Sequence, residues 1–311
     1  MSDSDRVKNR WLPVIFLISV LLVCRLSVHQ FKPLPDPWTA RRRPDISYDL
    51  SAERFNSIAL SDTLTLPVLM YHSFDTVENA DYAIAPSVFE AQLSALINAR
   101  YETVSLDELI AWVDGDGVLP EKPLLITIDD GYRNVYDYAF PILKRHGCKA
   151  TVFTIGKTFG QTLYSDGKPI NLLHYGMREA LEMEAFGIDN GCHGWDIHQI
   201  PSRDPAPVRS GAFPVQGESF SEFKAFLKND LTIYADKVLP FKGLAYPHGL
   251  YCTASEQVLD ELGIRVSLTS DPGVNRIIKG NSKSLRLLKR ISAHKYDAAQ
   301  LIKCLEEYIN E

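Results

Sequence analysis

The sequence predicts an α/β protein with a parallel sheet and crossover helices. From Leu66 onward, short apolar runs alternate with segments of helical period. Several of those segments open on Ser, Thr or Asp with Glu or Gln three residues later, the pattern of a capping box. The most apolar run, Leu124–Ile128, stops abruptly at Asp129-Asp130-Gly131. A sheet of this kind carries its chemistry in the loops at the C-terminal edges of its strands, so the residues that end each run are the candidates for function.

Taken in order, Trp11–Cys24 is free of charge, preceded by Arg6, Lys8 and Arg10 and followed by Arg25. Stretched through Val28 it reads as an uncleaved signal anchor, since no small-x-small cleavage site is visible; a cleaved signal, which would release a secreted protein, is the alternative. Residues 1–28 are thus assigned to a cytoplasmic tail and membrane anchor. Residues 29–65, with Pro33, Pro35, Pro37, Pro44 and the Arg41-Arg42-Arg43 run, read as a semi-extended linker. The remaining 66–311 form one domain placed outside the cytoplasm.

Within that domain Pro67–Tyr71 is the first strand, and Ser87 with Glu90 opens a helix whose Phe89, Leu93, Leu96 and Ile97 share a face. Ser105 with Glu108 opens the next. The strand from Leu124 ends at the two aspartates, Asn134–His146 is helical up to Gly147, and Ala150–Thr154 is a strand. Met177–Phe186 is a helix ended by Gly187, and the strand Ile188–Cys192 leads directly into His193. Boxes at Ser219 with Glu222 and Thr253 with Glu256 start helices around the strand Leu244–Tyr246. The strand Val266–Thr269 follows, and Asp297 with Gln300 caps the last helix.

Composition excludes several classes. A chain of 311 residues, 45% hydrophobic and 23% charged, is globular, not disordered. A formal charge of −6 without a basic stripe gives no footprint for nucleic acid. Five cysteines, odd in number and without a CxxC pair, signal neither a disulfide framework nor a thiolate zinc site. No feature of the sequence specifies an oligomeric state.

Asp129 and Asp130 sit at a strand's end, and because neighbours in an extended chain point to opposite sides, one can serve a cation and the other a substrate water. Gly131 lets the chain bend after them. His193 and His198, spaced by five, do not share a helix face and must converge from an irregular loop, which Gly194 permits. Two imidazoles and one carboxylate make a catalytic zinc set with one position open to water, and Asp130 is the available carboxylate.

These residues resemble the polysaccharide deacetylases with a nodulation-type deacetylase domain, carbohydrate esterase family four, in its exopolysaccharide-deacetylase branch. Thr127-Ile128-Asp129-Asp130-Gly131 resembles the first motif, and His193–His198 the second, in its longer-spaced form. Val68–His72, Phe89–Val104, Tyr138–Gly147 and Lys149–Thr151 resemble framework phrases of the same branch. The resemblance runs from about residue 66 to the end and implies a distorted barrel of seven or eight β/α units. It implies that Asp129 is the catalytic base and that Asp130, His193 and His198 bind a divalent metal, with Zn²⁺ expected. Where many members carry an arginine that steadies the base, this chain has Ala245, in Ala245-Tyr246-Pro247-His248-Gly249, so something else must orient Asp129. Asp271-Pro272-Gly273 resembles the fourth motif. The general acid has three candidates, His72, His248 and His294, in that order.

The expected activity is metal-dependent hydrolysis of N-acetyl groups on a cell-surface or extracellular glycan, with the oxyanion held by an N–H of Tyr246 or His248, since proline has none. A glycosidase fits less well, because adjacent carboxylates beside a histidine pair suit a metal better than a glycosidic bond. A metal-dependent amidase on a non-sugar substrate would share every ligand. A silent glycan-binding protein on the same fold would be expected to lack Asp129 or a ligand, and none is missing.

Overall fold

The computed structural model describes residues 62–75, 82–163, 169–170, 172–199 and 207–310. The expected anchor and the linker through residue 61 lie outside them. Among the described residues no helix is long and apolar enough to cross a membrane.

The described residues open with β1 (Thr63–Leu66), β2 (Val68–Tyr71), β3 (Ser73–Phe74) and β4 (Ala83–Ile84). β1 takes up Thr63–Thr65, positions that the sequence assigns to the linker. Helix α1 (Pro86–Asn98) corrects the first expected box: its cap is Ala85, with no side-chain bond, and Pro86 lies in the first turn. An N–H at that position has no partner inside the helix, so proline loses nothing there and its preset φ outweighs the Ser87 hydroxyl. Phe89, Leu93 and Leu96 are buried as expected, while Ile97 is exposed.

Next come β5 (Glu102–Thr103) and α2 (Leu106–Asp114). Here the box forms, with Glu108 N–H donating to Ser105 Oγ at 3.1 Å and Ser105 N–H to Glu108 Oε2 at 2.9 Å. β6 (Pro123–Asp130) is buried at every position. A π-helical turn, Val135–Ala139, runs into α3 (Phe140–His146), which Gly147 ends. β7 (Ala150–Thr154), α4 (Met177–Phe186), β8 (Ile188–Cys192), α5 (Phe220–Lys237) and β9 (Gly243–Ala245) follow. The chain closes with α6 (Thr253–Glu261), β10 (Val266–Leu268), β11 (Asn275–Ile278), β12 (Ile291–Ser292) and α7 (Ala298–Asn310). Ser219 with Glu222 and Asp297 with Gln300 cap α5 and α7 as expected. At α6 the expected Thr253–Glu256 box is replaced by one a residue earlier, in which Cys252 N–H donates to Ser255 Oγ at 2.9 Å.

The main sheet is parallel, in the order β10-β9-β8-β7-β6-β2-β12, with β5 added beside β6. Leu288 pairs with Leu268 beyond one outer strand, and Ile291 and Ser292 pair with Leu69 and Met70 at the other. One short segment therefore touches both ends of the sheet order, which curls the sheet into a half-barrel. The period of two then separates two cores. Leu124, Ile126 and Ile128 of β6 join Leu69, Tyr71, Phe89 and Phe140 under the helices. Leu125 joins Val68, Phe153, Ala245, Val266 and Leu288 inside the barrel. Thr127 and Asp129 continue the Leu125 face, so the barrel interior grades from apolar to polar toward the strand ends.

The two serines separate a real cap from a sequence pattern. Ser105→Ala should lower the unfolding free energy by about 1 kcal/mol, while Ser87→Ala should change it by less than about 0.5 kcal/mol. Denaturant unfolding of both variants checks this, and equal losses would contradict the observed caps.

Candidate active site

Asp129 points into the barrel, where Arg290 meets it. Arg290 is 2% exposed; its guanidinium donates to Asp129 Oδ1 at 2.7 Å and to Thr127 Oγ1 at 3.3 Å. Arg290 is itself fixed, its Nε donating to the Thr269 carbonyl at 2.7 Å and its backbone N–H to the Asp271 carbonyl at 2.8 Å. Burial alone would push the Asp129 carboxyl up, but the charge of Arg290, with His193 and His72, more than offsets this and holds it below the usual range. The steadying cation that the sequence lacked at position 245 thus comes from Arg290, next to the segment that resembles the fourth motif.

Asp130 does not simply alternate with Asp129. Its φ is +72° and that of Gly131 +77°, so both residues leave the extended region in a left-handed turn. Aspartate is among the few side chains that tolerate this region. A Cβ on Gly131 would stand 2.7 Å from Thr154 Cγ2, so glycine is required there for space as well as conformation. The turn carries the Asp130 carboxylate toward the end of β8, and Oδ1 lies 3.6 Å from His193 Nε2 and 3.5 Å from His198 Nε2.

The loop that presents the two histidines is braced along its backbone. His193 N–H donates to the Thr154 carbonyl at 3.0 Å, and Gly156 and Lys157 N–H donate to the Gly194 and Trp195 carbonyls. Trp195 and Asp196 N–H each donate at 2.8 Å to a different carboxylate oxygen of Asp230, a buried residue of α5. Burial pushes the Asp230 carboxyl up to about 6, against the pull of those two N–H groups. Past His198, Gly211 N–H donates to the Ile197 carbonyl at 2.7 Å. Gly194, at φ +83°, makes the tight start: a Cβ there would fall 2.1 Å from Ile197 Cγ1.

His193 Nδ1 lies 2.7 Å from the Ala245 carbonyl. A carbonyl only accepts, so Nδ1 carries the proton and Nε2 keeps its lone pair on the Asp130 side. Burial pushes the His193 imidazole down to about 4, which keeps it neutral at ordinary pH. Candidate ligand atoms of Asp130, His193 and His198 all lie within 4.8 Å of one another. Asp130 Oδ1 is buried with no hydrogen-bond partner, and an orphaned acceptor between two imidazole lone pairs fits a cation.

Two of the three candidate acids, His72 and His294, follow neighbouring strands, and the third, His248, stands against His198. His72 Nε2 lies 3.9 Å from Asp129 Oδ2, at the end of β2. His248 is exposed, at φ +56°, with its ring 4.5 Å from that of His198. His294 follows β12, its ring 6.4 Å from that of His72. Of the two expected oxyanion donors, Tyr246 N–H is committed to the Leu268 carbonyl at 3.0 Å, which turns attention to His248. Arg290, Asp230 and His174 were not singled out by sequence. His174 is buried against Tyr132 with neither ring nitrogen hydrogen-bonded, and burial pushes it down to about 4.

Comparison with known proteins fits this arrangement. Residues 116–267 match the family model for polysaccharide deacetylase, a span that holds Asp129, Asp130, His193, His198 and His248. YxkH of Bacillus subtilis, named as a polysaccharide deacetylase, is 28% identical over 208 residues, covering 67% of this chain and 65% of that protein. A poly-beta-1,6-N-acetyl-D-glucosamine N-deacetylase of Staphylococcus epidermidis is 25% identical over 193 residues, covering 62% of this chain and 63% of that protein. The chain thus spans just under two thirds of both relatives. The structure of IcaB from Ammonifex degensii superposes with a TM-score of 0.62 at 23% identity, covering 78% of this chain and 97% of that one, which is a likeness of fold.

Removing Arg290 should leave a buried carboxylate unpaired. Arg290→Met should cost about 3–5 kcal/mol of stability, and Arg290→Lys less, because a charge remains. Since Arg290 lowers the Asp129 pKa, its loss should also move the acid limb of any pH–rate profile to higher pH. Unfolding measurements and a pH–rate series check both, and an unchanged stability with an unchanged limb would contradict the steadying role.

Proposed function

The chain carries a polysaccharide deacetylase domain, and from that premise we propose that it hydrolyses N-acetyl groups on an extracellular or cell-surface glycan. The observation that carries this reading is the convergence of Asp130, His193 and His198 within 4.8 Å of one another, beside an Asp129 that Arg290 holds charged. The chemistry of the donor set suits a divalent ion, with Zn²⁺ the choice for two imidazoles and a carboxylate. When bound, such an ion polarises an acyl carbonyl and acidifies a water.

The chain's own residues supply the remainder. Asp129, ionised and fixed by Arg290, takes the proton from the water that attacks the acetyl carbon. The carbon–oxygen bond forms, the carbon–nitrogen bond breaks, and His72, beside Asp129, gives a proton to the departing amine. The His248 N–H is the donor assigned to the oxyanion, because Tyr246 N–H serves the sheet. His248, its ring 4.5 Å from that of His198, is the alternative acid. The substrate class matches the name of the Staphylococcus epidermidis relative, a deacetylase of a poly-N-acetylglucosamine. We assign residues 1–28 to an anchor that keeps the domain outside the cytoplasm, where such polymers lie; protease treatment of intact cells should degrade the domain, and full protection would overturn that placement.

The two adjacent aspartates are separable by experiment. Asp129→Asn should keep its metal and lose about 10² to 10⁴ in acetate release, because no added ion replaces a missing base. Asp130→Asn should bind metal weakly and recover in part as metal is raised, since a carboxamide is a neutral and poorer ligand. Metal content and acetate release from N-acetylglucosamine polymers, measured for both across a metal titration, decide the matter. Near-native rates in both variants would remove the active site from this strand end.

A further inference from the structure

We propose that Gln92 is a positioning residue for proton delivery, its side-chain amide setting where the imidazole of His72 stands beside Asp129 and opposite His294; this rests on the assignment of His72 as the acid in the reading above. Gln92 lies within α1 on the face that carries Phe89, Leu93 and Leu96, and it is fully buried. An apolar side chain would pack there without the cost of desolvating an amide, so the amide is sustained by its bonds. The Tyr71 hydroxyl donates to Gln92 Oε1 at 2.7 Å, and Gln92 Nε2 donates to the Ala293 carbonyl at 2.9 Å and to the Tyr296 carbonyl at 2.7 Å. Carbonyls only accept, so Nε2 is the end that faces them and the amide has a single orientation. Burial pushes the Tyr71 phenol up, which keeps its proton in place to donate.

The residues joined in this way are the ones that precede two of the candidate acids. Tyr71 comes immediately before His72, and Ala293 immediately before His294. β2 and β12 pair at two positions, Leu69 with Ile291 and Met70 with Ser292. At the next position the second segment leaves the sheet as the short helical turn Ala293–Lys295, and the amide of Gln92 links Tyr71 to Ala293 in place of the ladder. The imidazoles project one residue further on, with ring centroids 6.4 Å apart and His72 Nε2 3.9 Å from Asp129 Oδ2. A side chain on a helix behind the sheet thus fixes the last backbone positions from which both histidines reach the site.

The reaction gives this placement a measurable consequence. An amine does not depart as its anion, so a proton must reach the nitrogen as the carbon–nitrogen bond breaks, whereas a phenoxide departs unprotonated. Displacing the acid therefore slows amide cleavage more than cleavage of an aryl ester, and a shift of about 1 Å is enough to cost up to about 10²-fold. A glutamine that only fastened α1 to the sheet would affect both reactions alike.

The test measures kcat of the full chain on a tetramer of N-acetylglucosamine and on phenyl acetate. Gln92→Met keeps the side-chain length and removes the amide; the ratio of amide to ester turnover should fall about tenfold, with KM of the tetramer little changed. Tyr71→Phe deletes one hydroxyl and one of the three bonds, and should lower the ratio in the same direction to a smaller extent; it carries the comparison if Gln92→Met does not fold. His72→Ala should lower the ratio further, and adding Gln92→Met to it should lower the ratio no more, because Gln92 acts through that imidazole. Imidazole nitrogen NMR, read without turnover, should show the His72 and His294 resonances displaced in Gln92→Met and Tyr71→Phe while those of His193 and His198 stay in place. Equal declines on both substrates, or a further fall of the ratio in the double variant, make Gln92 a staple of the fold and overturn the proposal. Unmoved His72 and His294 resonances overturn it too, as does a His72→Ala ratio equal to that of wild type, which removes the acid itself. Failure of the wild type to release acetate from any glycan would instead overturn the deacetylase reading, and the NMR comparison would still decide whether Gln92 places the two imidazoles.

Discussion

The buried pair of Arg290 and Asp129 is the contact through which the rest of the site is organised. An ionised carboxylate inside a barrel is tolerable only with a partner, and losing the partner costs about 3–5 kcal/mol, a large share of the 5–15 kcal/mol that holds a domain together. Arg290 also bonds the Thr269 carbonyl and, through its backbone, the Asp271 carbonyl. The same short stretch pairs with strands at both ends of the sheet order. Closing the curl of the sheet and charging the base are thus accomplished by one segment, so the fold and the proposed chemistry stand or fall together there.

A second constraint sets the metal-site geometry. Asp130 and Gly131 adopt left-handed conformations against Thr154, and a non-glycine residue in that region costs roughly 1–2 kcal/mol. The strain is sustained because the turn is enclosed: Tyr175 N–H donates to the Gly131 carbonyl and Ile155 N–H to the Asp130 carbonyl. What the conformation accomplishes is the delivery of Asp130 Oδ1 to both imidazoles. Without it, strand alternation would turn Asp130 away from the barrel interior that Asp129 faces.

Much of this was legible in the sequence where the signal is local. Strand and helix alternation shows in periods of two and 3.6, and β6, α4 and β8 lie close to where those periods put them. Asp129, Asp130, His193 and His198 stand at strand ends and carry residue types suited to a metal site. Arg290 was not legible because its partner is 161 residues away, and no spacing encodes such a contact. Asp230 was hidden for another reason: a polar residue within a helix reads as a solvent-facing position, yet it is buried and grips the histidine loop. At α1 a local rule was overruled by a stronger local one, since Pro86 fixed the helix start before the Ser87 box could act.

The absence of arginine at position 245 follows from the inner face of the barrel. Ala245 is fully buried and belongs to the apolar cluster of Leu66, Val68, Phe153, Val266 and Leu268, where an unpaired guanidinium would be costly. Its backbone carbonyl, however, accepts the His193 Nδ1 proton and so sets which nitrogen of that imidazole faces Asp130. The charge that steadies Asp129 then has to enter from elsewhere, and residue 290, carried on the segment that completes the curl, arrives at the same carboxylate from the barrel's other edge. Tautomer control and base control are in this way divided between two strands, one contributing a carbonyl and the other a guanidinium.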